Sequence, residues 1–295
     1  MTIASLFKQA QPVLSFEVFP PKKEGDVEAL YKVIDQLKPL QPAYISVTYG
    51  AGGTNKGLAF QIAAYLLKVG ITPLTHFTCV GHDKASVADQ LDELWDIGVR
   101  DILALRGDPP QGQARFVAPK DGFAHANELV AFIKSRHDFC VGVAAFPETH
   151  PEAVSAEKDL FYLKQKLDAG ADFANTQMFF DNAAYFRLLE RAKAAGITKP
   201  IGPGVMPVLT PKFFAREWGV AIPPELRAGL GTEPGPEGAA FGLKFCIEQC
   251  QQLLKGPSTG SGQGLKAPGI HLYTMNKAET AAKVWAAIKT PQEQR

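Results

Sequence analysis

The chain has little net charge, few cysteines and no long apolar run, and each shortage removes a class of function. Its 31 basic and 30 acidic residues leave a formal net charge of +1, so it offers no broad basic field for nucleic acid or an anionic membrane. No run approaches the ~20 apolar residues that cross a bilayer. The opening MTIASLFKQAQPVLSFE has too short an apolar stretch before Gln9 and Gln11 for a secretory signal. The expectation is a soluble, cytoplasmic protein with neither nucleic acid nor membrane as partner. Four cysteines make no disulfide framework in that reducing compartment. Cys79 and Cys140 fall inside apolar runs and read as small core residues. Cys246 and Cys250 are four apart on one helix face, but no histidine accompanies them as a zinc site would want, so no metal is expected. The loop GAGGTNKG also lacks the G-x-G-x-x-G spacing of a dinucleotide-binding turn.

What is there is a repeated placement of polar residues at the downstream ends of short apolar runs. VLSFE ends on Glu17, AYISVTYG on Thr48 and Tyr49, TPLTHFTC carries His76, and DILALRGD ends on Arg106, Gly107 and Asp108. FCVGVAAFPE leads to Glu148 and His150, FANTQMFF exposes Gln177, and GIHLYTMN runs into Lys277. Each run is rich in β-formers and precedes a helical stretch, the pattern of an α/β chain folded as a single (β/α)8 TIM barrel over residues 1–295. Such barrels collect their active sites at the C-terminal ends of the strands. The spacing predicts strands at Val13–Phe19, Ala43–Tyr49, Thr72–Cys79, Asp101–Leu105, Phe139–Phe146, Phe173–Phe179, Ile201–Val208 and Gly269–Thr274. The seventh contains Gly-Pro-Gly and is the least regular. Helices are expected over Gly25–Leu37, Leu58–Lys68, Ala85–Ile97, His125–Ser135, Ser155–Asp168, Asn182–Ala195, after Thr210, near Gly238–Leu254, and over Lys277–Ile288. Ser155 is the expected N-cap of the fifth helix. Residues 256–269 read as a flexible surface loop, and the tail after Thr290 as frayed.

Several of these segments carry a specific resemblance. FEVFPPK (16–22), SVTYGAGG (46–53), LRGDPP (105–110), AAFPETHPEA (144–153), TQMFFD (176–181), PGVMPV (203–208) and HLYTMNKAE (271–279) occur in this order. Together they closely resemble the bacterial methylenetetrahydrofolate reductases, over about residues 13 to 290. The resemblance implies an FAD-containing barrel that reduces 5,10-methylenetetrahydrofolate to 5-methyltetrahydrofolate, with NADH or NADPH as electron donor. One pocket would take the nicotinamide first and the folate second. The family is usually oligomeric, so a homo-oligomer is expected.

Residue by residue, Glu17 matches the family's general acid, which protonates N10 as the substrate ring opens. Its apolar neighbours Phe16, Val18 and Phe19 suggest a carboxyl that keeps its proton; as a structural residue it would instead pair with a lysine such as Lys22. Asp108 matches the aspartate between flavin and folate, where an anion stabilises a cationic iminium and disfavours charge on reduced flavin. Read on its own, it is a turn residue before Pro109. Gln177 would hydrogen-bond the pterin, and Thr48 and Lys277 also match substrate-contacting positions. For FAD the resemblance assigns Thr48, Tyr49, His76, Arg106, Gly107, Asp108, His125, Ala126, Phe146, His150, Asp159 and Lys166. Hydroxyl and imidazole donors suit the isoalloxazine, Asp159 a ribose, and the cations the pyrophosphate. Singly, His150 and Lys166 would pass for ordinary surface residues, and His82 and His137 match nothing in the family.

There are departures. Phe146 and His125 stand where tyrosines are usual, Lys277 replaces an arginine and loses its bidentate fork, and Phe213 falls near a substrate-contacting glutamine. Two other readings stay open at this stage. One is a folate-reducing or folate-binding subunit of a larger complex, fed electrons by a partner protein, with Cys246 and Cys250 as contact candidates if exposed. The other is a lyase or aldolase on the same barrel, which would need a Schiff-base lysine at a strand end; the nearest candidate, Lys277, lies past the eighth strand.

Overall fold

The computed structural model describes residues 2–21, 24–49, 56–109, 116–215, 219–258, 260 and 263–289. Lys22, most of the GAGGTNKG loop, three positions of the 256–269 loop and the tail from Thr290 lie outside the described residues. Parallel strands β1 (Val13–Val18), β2 (Ile45–Val47), β3 (Pro73–Thr78), β4 (Asp101–Leu105), β5 (Cys140–Ala145) and β6 (Phe173–Thr176) pair in chain order. The expected seventh strand is two short pieces, β7 (Ile201–Gly202) and β8 (Gly204–Val205), and β9 (Gly269–Tyr273) is the expected eighth. β7 pairs with β6, β8 pairs with β9, and β9 pairs with β1. The sheet therefore closes into a TIM barrel through a strand that changes partner at Pro203, a residue with no N–H to give a ladder. Its carbonyl still accepts from the His271 N–H at 2.9 Å. Gly204 is required here: a Cβ would lie 2.3 Å from the Thr176 carbonyl oxygen and 2.5 Å from the Tyr273 hydroxyl.

Helices α2 (Val27–Leu37), α3 (Lys56–Lys68), α4 (Lys84–Ile97), α5 (Ala126–Arg136), α6 (Ala156–Asp168), α7 (Asn182–Ala194), α9 (Pro236–Lys255) and α10 (Ala278–Ile288) surround the sheet. Ser155 caps α6 as expected, its hydroxyl accepting from the Lys158 N–H at 3.2 Å. Two helices were not foreseen. The turn α1 (Ile3–Leu6) crosses the N-terminal end of the barrel, where the Ile3 N–H donates to Asp101 at 2.8 Å. The helix α8 (Pro224–Leu230) lies in what reads as a Pro/Gly-rich connection; Leu226 and Leu230 bury against Met178, Phe180, Met206 and Val208. The expected helix after Thr210 is a 3-10 turn, Pro211–Ala215.

Strand side chains alternate between two cores, as a pleated strand requires. Leu14, Phe16, Ile45, Ile102, Val141 and Ala174 face the helices, with Phe16 against Trp285 of α10 at a ring separation of 4.5 Å. Val13, Tyr44, Leu74, Leu103, Cys140 and Phe173 face inward and pack with Ile3, forming the barrel floor. The four cysteines are buried and unbridged. No described helix is long and apolar enough to cross a membrane.

Candidate active site

Further along the same inward faces, the barrel turns polar. Glu17 on β1, Ser46 on β2, His76 on β3 and His271 on β9 converge at this level. The Ser46 hydroxyl donates to Glu17 Oε2 at 2.9 Å, and His271 Nε2 lies 3.4 Å from the same oxygen and 3.2 Å from Ser46 Oγ. His76 Nε2 is 3.2 Å from Glu17 Oε2, an ion-pair contact outside hydrogen-bond geometry. Below them Ser15 Oγ meets His271 Nδ1 at 2.8 Å, and Tyr44 stacks on the imidazole with ring centroids 5.5 Å apart. The Tyr44 hydroxyl donates to Asn175 Oδ1 at 3.3 Å and accepts from its amide nitrogen at 3.0 Å.

These neighbours correct the reading of Glu17 as a carboxyl that keeps its proton. Burial does push its pKa up, but the charge of His76 and the contacts from His271 and His76 outweigh it and hold the group well below the ordinary carboxylate range. The adjacent Phe16 and Val18 point to the opposite side of the strand, so they do not set its surroundings. Glu17 keeps 16% of its side-chain surface accessible, enough to meet a ligand at the mouth.

The other expected site residues follow successive strands along one arc of the rim. Thr48 ends the β2 segment, its N–H donating to the Val18 carbonyl at 3.2 Å. After β4, Gly107 takes φ +91°, a left-handed turn, where a Cβ would come 2.8 Å from Val80. That turn leaves Asp108 exposed at the rim. Arg106 is held in a bidentate pair with Glu152 at 2.6 and 2.9 Å, which raises its pKa further. His125 and Ala126 open α5, with His125 exposed. After β5 the rings of Phe146 and His150 meet edge to face at 4.6 Å, and Asp159 accepts from the His150 N–H at 3.0 Å. Burial lowers the His150 pKa. Lys166 on α6 donates to the Ala144 carbonyl at 2.6 Å, and burial brings its pKa down to about 8. Phe146, Asp159 and Lys166 line a shallow cleft between β5 and α6.

Some expected residues stand differently. Tyr49 turns outward and gives its hydroxyl to Gln90 on α4, so only its backbone faces the rim. β6 ends at Thr176 rather than Phe179, because Gln177 accepts from the Met178 N–H through its own side-chain oxygen at 3.0 Å. Lys277 is exposed at the start of α10, away from any strand interior, which leaves the aldolase reading without its lysine. Cys246 and Cys250 are buried, not exposed as a contact role would need. His137 is more than a surface residue: it meets Asp92 at 2.6 Å and stacks on Trp95. His271, Ser46 and Ser15 went unnoticed as site residues. The signal that could have found them is the alternation itself, since each falls on the inward phase of its strand.

Comparison with known proteins fits this geometry. The family model described as methylenetetrahydrofolate reductase matches residues 2–289. The chain is 36% identical over 296 residues to methylenetetrahydrofolate reductase (NADH) 1 of Arabidopsis thaliana, covering 95% of this chain and 48% of that one. It is also 36% identical over 278 residues to 5,10-methylenetetrahydrofolate reductase of Escherichia coli, covering 92% and 88%. The chain thus spans about half the length of the plant relative and most of the bacterial one. Among solved structures, an uncharacterized protein from Clostridium thermocellum that binds two copies of 5-methyl-5,6,7,8-tetrahydrofolic acid superposes with a TM-score of 0.64. It is 16% identical, with 99% of this chain and 98% of that one covered, and bears on the fold alone. By the matched model and these relatives, the chain belongs to the methylenetetrahydrofolate reductase family.

Proposed function

We propose that the protein reduces 5,10-methylenetetrahydrofolate to 5-methyltetrahydrofolate, using NADH or NADPH as donor and FAD as the bound cofactor. The observation that carries this reading is Glu17, a carboxylate held at the barrel mouth by Ser46, His76 and His271 in a chain of this family. Opening the substrate's five-membered ring needs a proton on the departing N10, and Glu17 would give it once the carboxylate has itself taken up a proton. Asp108, exposed at the rim, supplies an anion beside the cationic iminium that ring opening leaves. The amide of Gln177 can donate and accept toward the pterin edge.

The residues present fit FAD along the arc from β3 to α6. The Thr78 hydroxyl, beside Gly107, is buried without a hydrogen-bond partner among the described residues, an orphan that a polar cofactor edge would satisfy. Phe146 offers a ring face, Asp159 a carboxylate for a ribose, and Lys166 and Arg106 cations for the pyrophosphate, with Arg106 already oriented by Glu152. When bound, FAD supplies a hydride relay between nicotinamide and folate. Purified protein, kept anaerobic, tests the whole reading. NADH or NADPH should bleach its flavin absorbance, and methylenetetrahydrofolate should restore it with one equivalent of 5-methyltetrahydrofolate formed. Protein that neither nucleotide bleaches would overturn the self-sufficient reductase and favour a partner-fed subunit. Nothing among the described residues favours that alternative, now that both α9 cysteines are buried.

A further inference from the structure

A cavity of about 680 Å³ opens between the start of α7, the segment leading into α8, and the C-terminal half of α9. That volume suits a small molecule, and none of the residues assigned to FAD or folate lines it. Its apolar wall is Phe180, Ile222, Pro223 and Phe245. Its polar wall is rich in acceptors. Gln249 is 4% exposed; its amide nitrogen donates to the Phe179 carbonyl at 2.8 Å, and its Oε1 is buried with no hydrogen-bond partner among the described residues. Asn182 repeats the pattern. Its amide nitrogen serves the Gln249 carbonyl at 3.2 Å and Gln252 Oε1 at 3.1 Å, while its Oδ1 has no partner among the described residues. Two such acceptors on one wall call for a ligand that donates.

The charges around the cavity select the sign of that ligand. Donors that could draw an anion are already engaged: Asp181 caps α7 by accepting from the Ala183 N–H at 2.9 Å, and Glu148 takes the Ala221 N–H at 2.6 Å. Pro223 and Pro224, which open α8, have no N–H to offer. Asp181, Glu225 and Glu248 are exposed at the rim. The cations beside them, Arg187 on Asp181 at 3.4 Å and Lys244 on Glu248 at 3.7 Å, form exposed pairs of little strength, so an incoming cation can compete for both carboxylates. No cluster of His, Cys, Asp and Glu able to hold a metal ion occurs among the described residues, and the apolar wall offers contact to a hydrocarbon chain.

We propose that this cavity binds a small linear alkyldiamine. One ammonium donates to Gln249 Oε1 and Asn182 Oδ1, the chain lies along Phe180 and Phe245, and the second ammonium sits among the rim carboxylates. Neither amide oxygen touches solvent, so seating the first ammonium requires the two side chains to swing toward it. The site stands apart from the reductase reading and does not depend on it.

Titration calorimetry on the whole protein at fixed ionic strength, with 1,5-diaminopentane as probe, tests the proposal. One saturable site is expected. Gln249→Leu should weaken it about tenfold or more, the scale of a hydrogen bond to a charged group. Glu225→Gln, an exposed change, should weaken it about threefold, the scale of an exposed ion pair. Glu279→Gln, an exposed acid on α10, should leave it unchanged. The bis-trimethylammonium analogue of the same length carries no N–H and should bind about tenfold more weakly than the diamine. Absence of a saturable site, equal binding of the diamine and the quaternary analogue, or an equal loss in Glu225→Gln and Glu279→Gln would each overturn the proposal. Should Gln249→Leu fail to fold, the Glu225→Gln and quaternary comparisons decide it without that variant.

Discussion

The floor and the mouth of this barrel share strands β1 and β3, and they behave as opposites. On β1 the inward series runs Val13, Ser15, Glu17; at β2, Tyr44 just before the strand and then Ser46 within it; on β3, Leu74 then His76. The first members join Ile3, Leu103, Cys140 and Phe173 in an apolar plug, and the last converge on one carboxylate oxygen. Each end holds an acid, Asp101 buried and Glu17 half-buried, and the two are perturbed in opposite directions. Asp101 at the floor is pushed up, chiefly by burial, although the Ile3 N–H partly offsets it. Glu17 at the mouth is also penalised by burial, yet its imidazole neighbours pull it down. The contrast teaches that burial does not fix the charge state of a group; what the burial brings beside it does.

If the floor serves stability and the mouth serves chemistry, substitutions should separate the two. The largest effect is expected from Phe173→Ala. This side chain is fully buried, packs against Phe7 with ring centroids 5.6 Å apart, and fills the space that Gly142 leaves open. Removing it should cost about 3–5 kcal/mol of unfolding free energy, read by denaturant titration. The flavin-normalised rates of the surviving folded protein should stay close to wild type. A selective loss of folate reduction would break the division. Next is Glu17→Gln, which keeps shape and hydrogen bonding but cannot release a proton. Reoxidation of reduced flavin by methylenetetrahydrofolate should fall ~10²-fold or more, the scale of general acid catalysis, with a much smaller change in reduction by nicotinamide. Equal losses in both half-reactions would make Glu17 a structural residue.

The sequence made the mouth partly legible and the floor hardly at all. All eight strand segments were visible because parallel barrel strands are short β-rich runs, each followed by a helix. The break in the seventh was signalled by Gly-Pro-Gly, although the change of pairing partner at Pro203 depends on strands about thirty residues before it and seventy after it. The turn α1 has no periodicity in its four residues; it forms because Asp101 accepts from Ile3 and the plug needs a cover. Helix α8 was hidden by flanking prolines and glycines, and Pro223–Pro224 in fact opens it, where a missing N–H costs nothing. Glu17 was found by its motif, but its charge state was misread from chain neighbours that lie on the other face of the strand. His271 was missed for the same reason: its partners, Ser15 and Ser46, are more than two hundred residues away.

Tyr44 sits where the two regions meet, with its ring in the floor cluster and on the His271 imidazole and its hydroxyl on Asn175. Burial pushes its pKa up to about 12, so the hydroxyl stays protonated and neutral. Tyr44→Phe keeps the stacking ring and strands the buried Asn175 amide. Stability should drop by about 1–3 kcal/mol, the cost of an unsatisfied buried polar group. The ratio of the two half-reaction rates should move less than in Glu17→Gln. A change in that ratio as large as the Glu17 effect would mean that the chemistry extends into the floor.

The smallest effect is a sign rather than a size, and it sets the two acids against each other. Asp101→Asn leaves an oxygen for the Ile3 N–H and removes only the ionisable carboxyl; Glu17→Gln does the same at the mouth. A folded-state pKa above the unfolded one means that the folded protein binds the proton more tightly. Wild type should therefore gain stability over Asp101→Asn as pH falls through the range just above the ordinary aspartate value, and lose that gain as pH rises again. A lowered pKa works the other way. Wild type should hold its advantage over Glu17→Gln above the ordinary glutamate range and lose it as pH falls below. Denaturant melts of the three proteins at neutral pH and at stepped acidic pH give both differences, and their slopes should have opposite sign. Parallel slopes would show that the imidazoles do not govern Glu17 and that burial alone sets both acids.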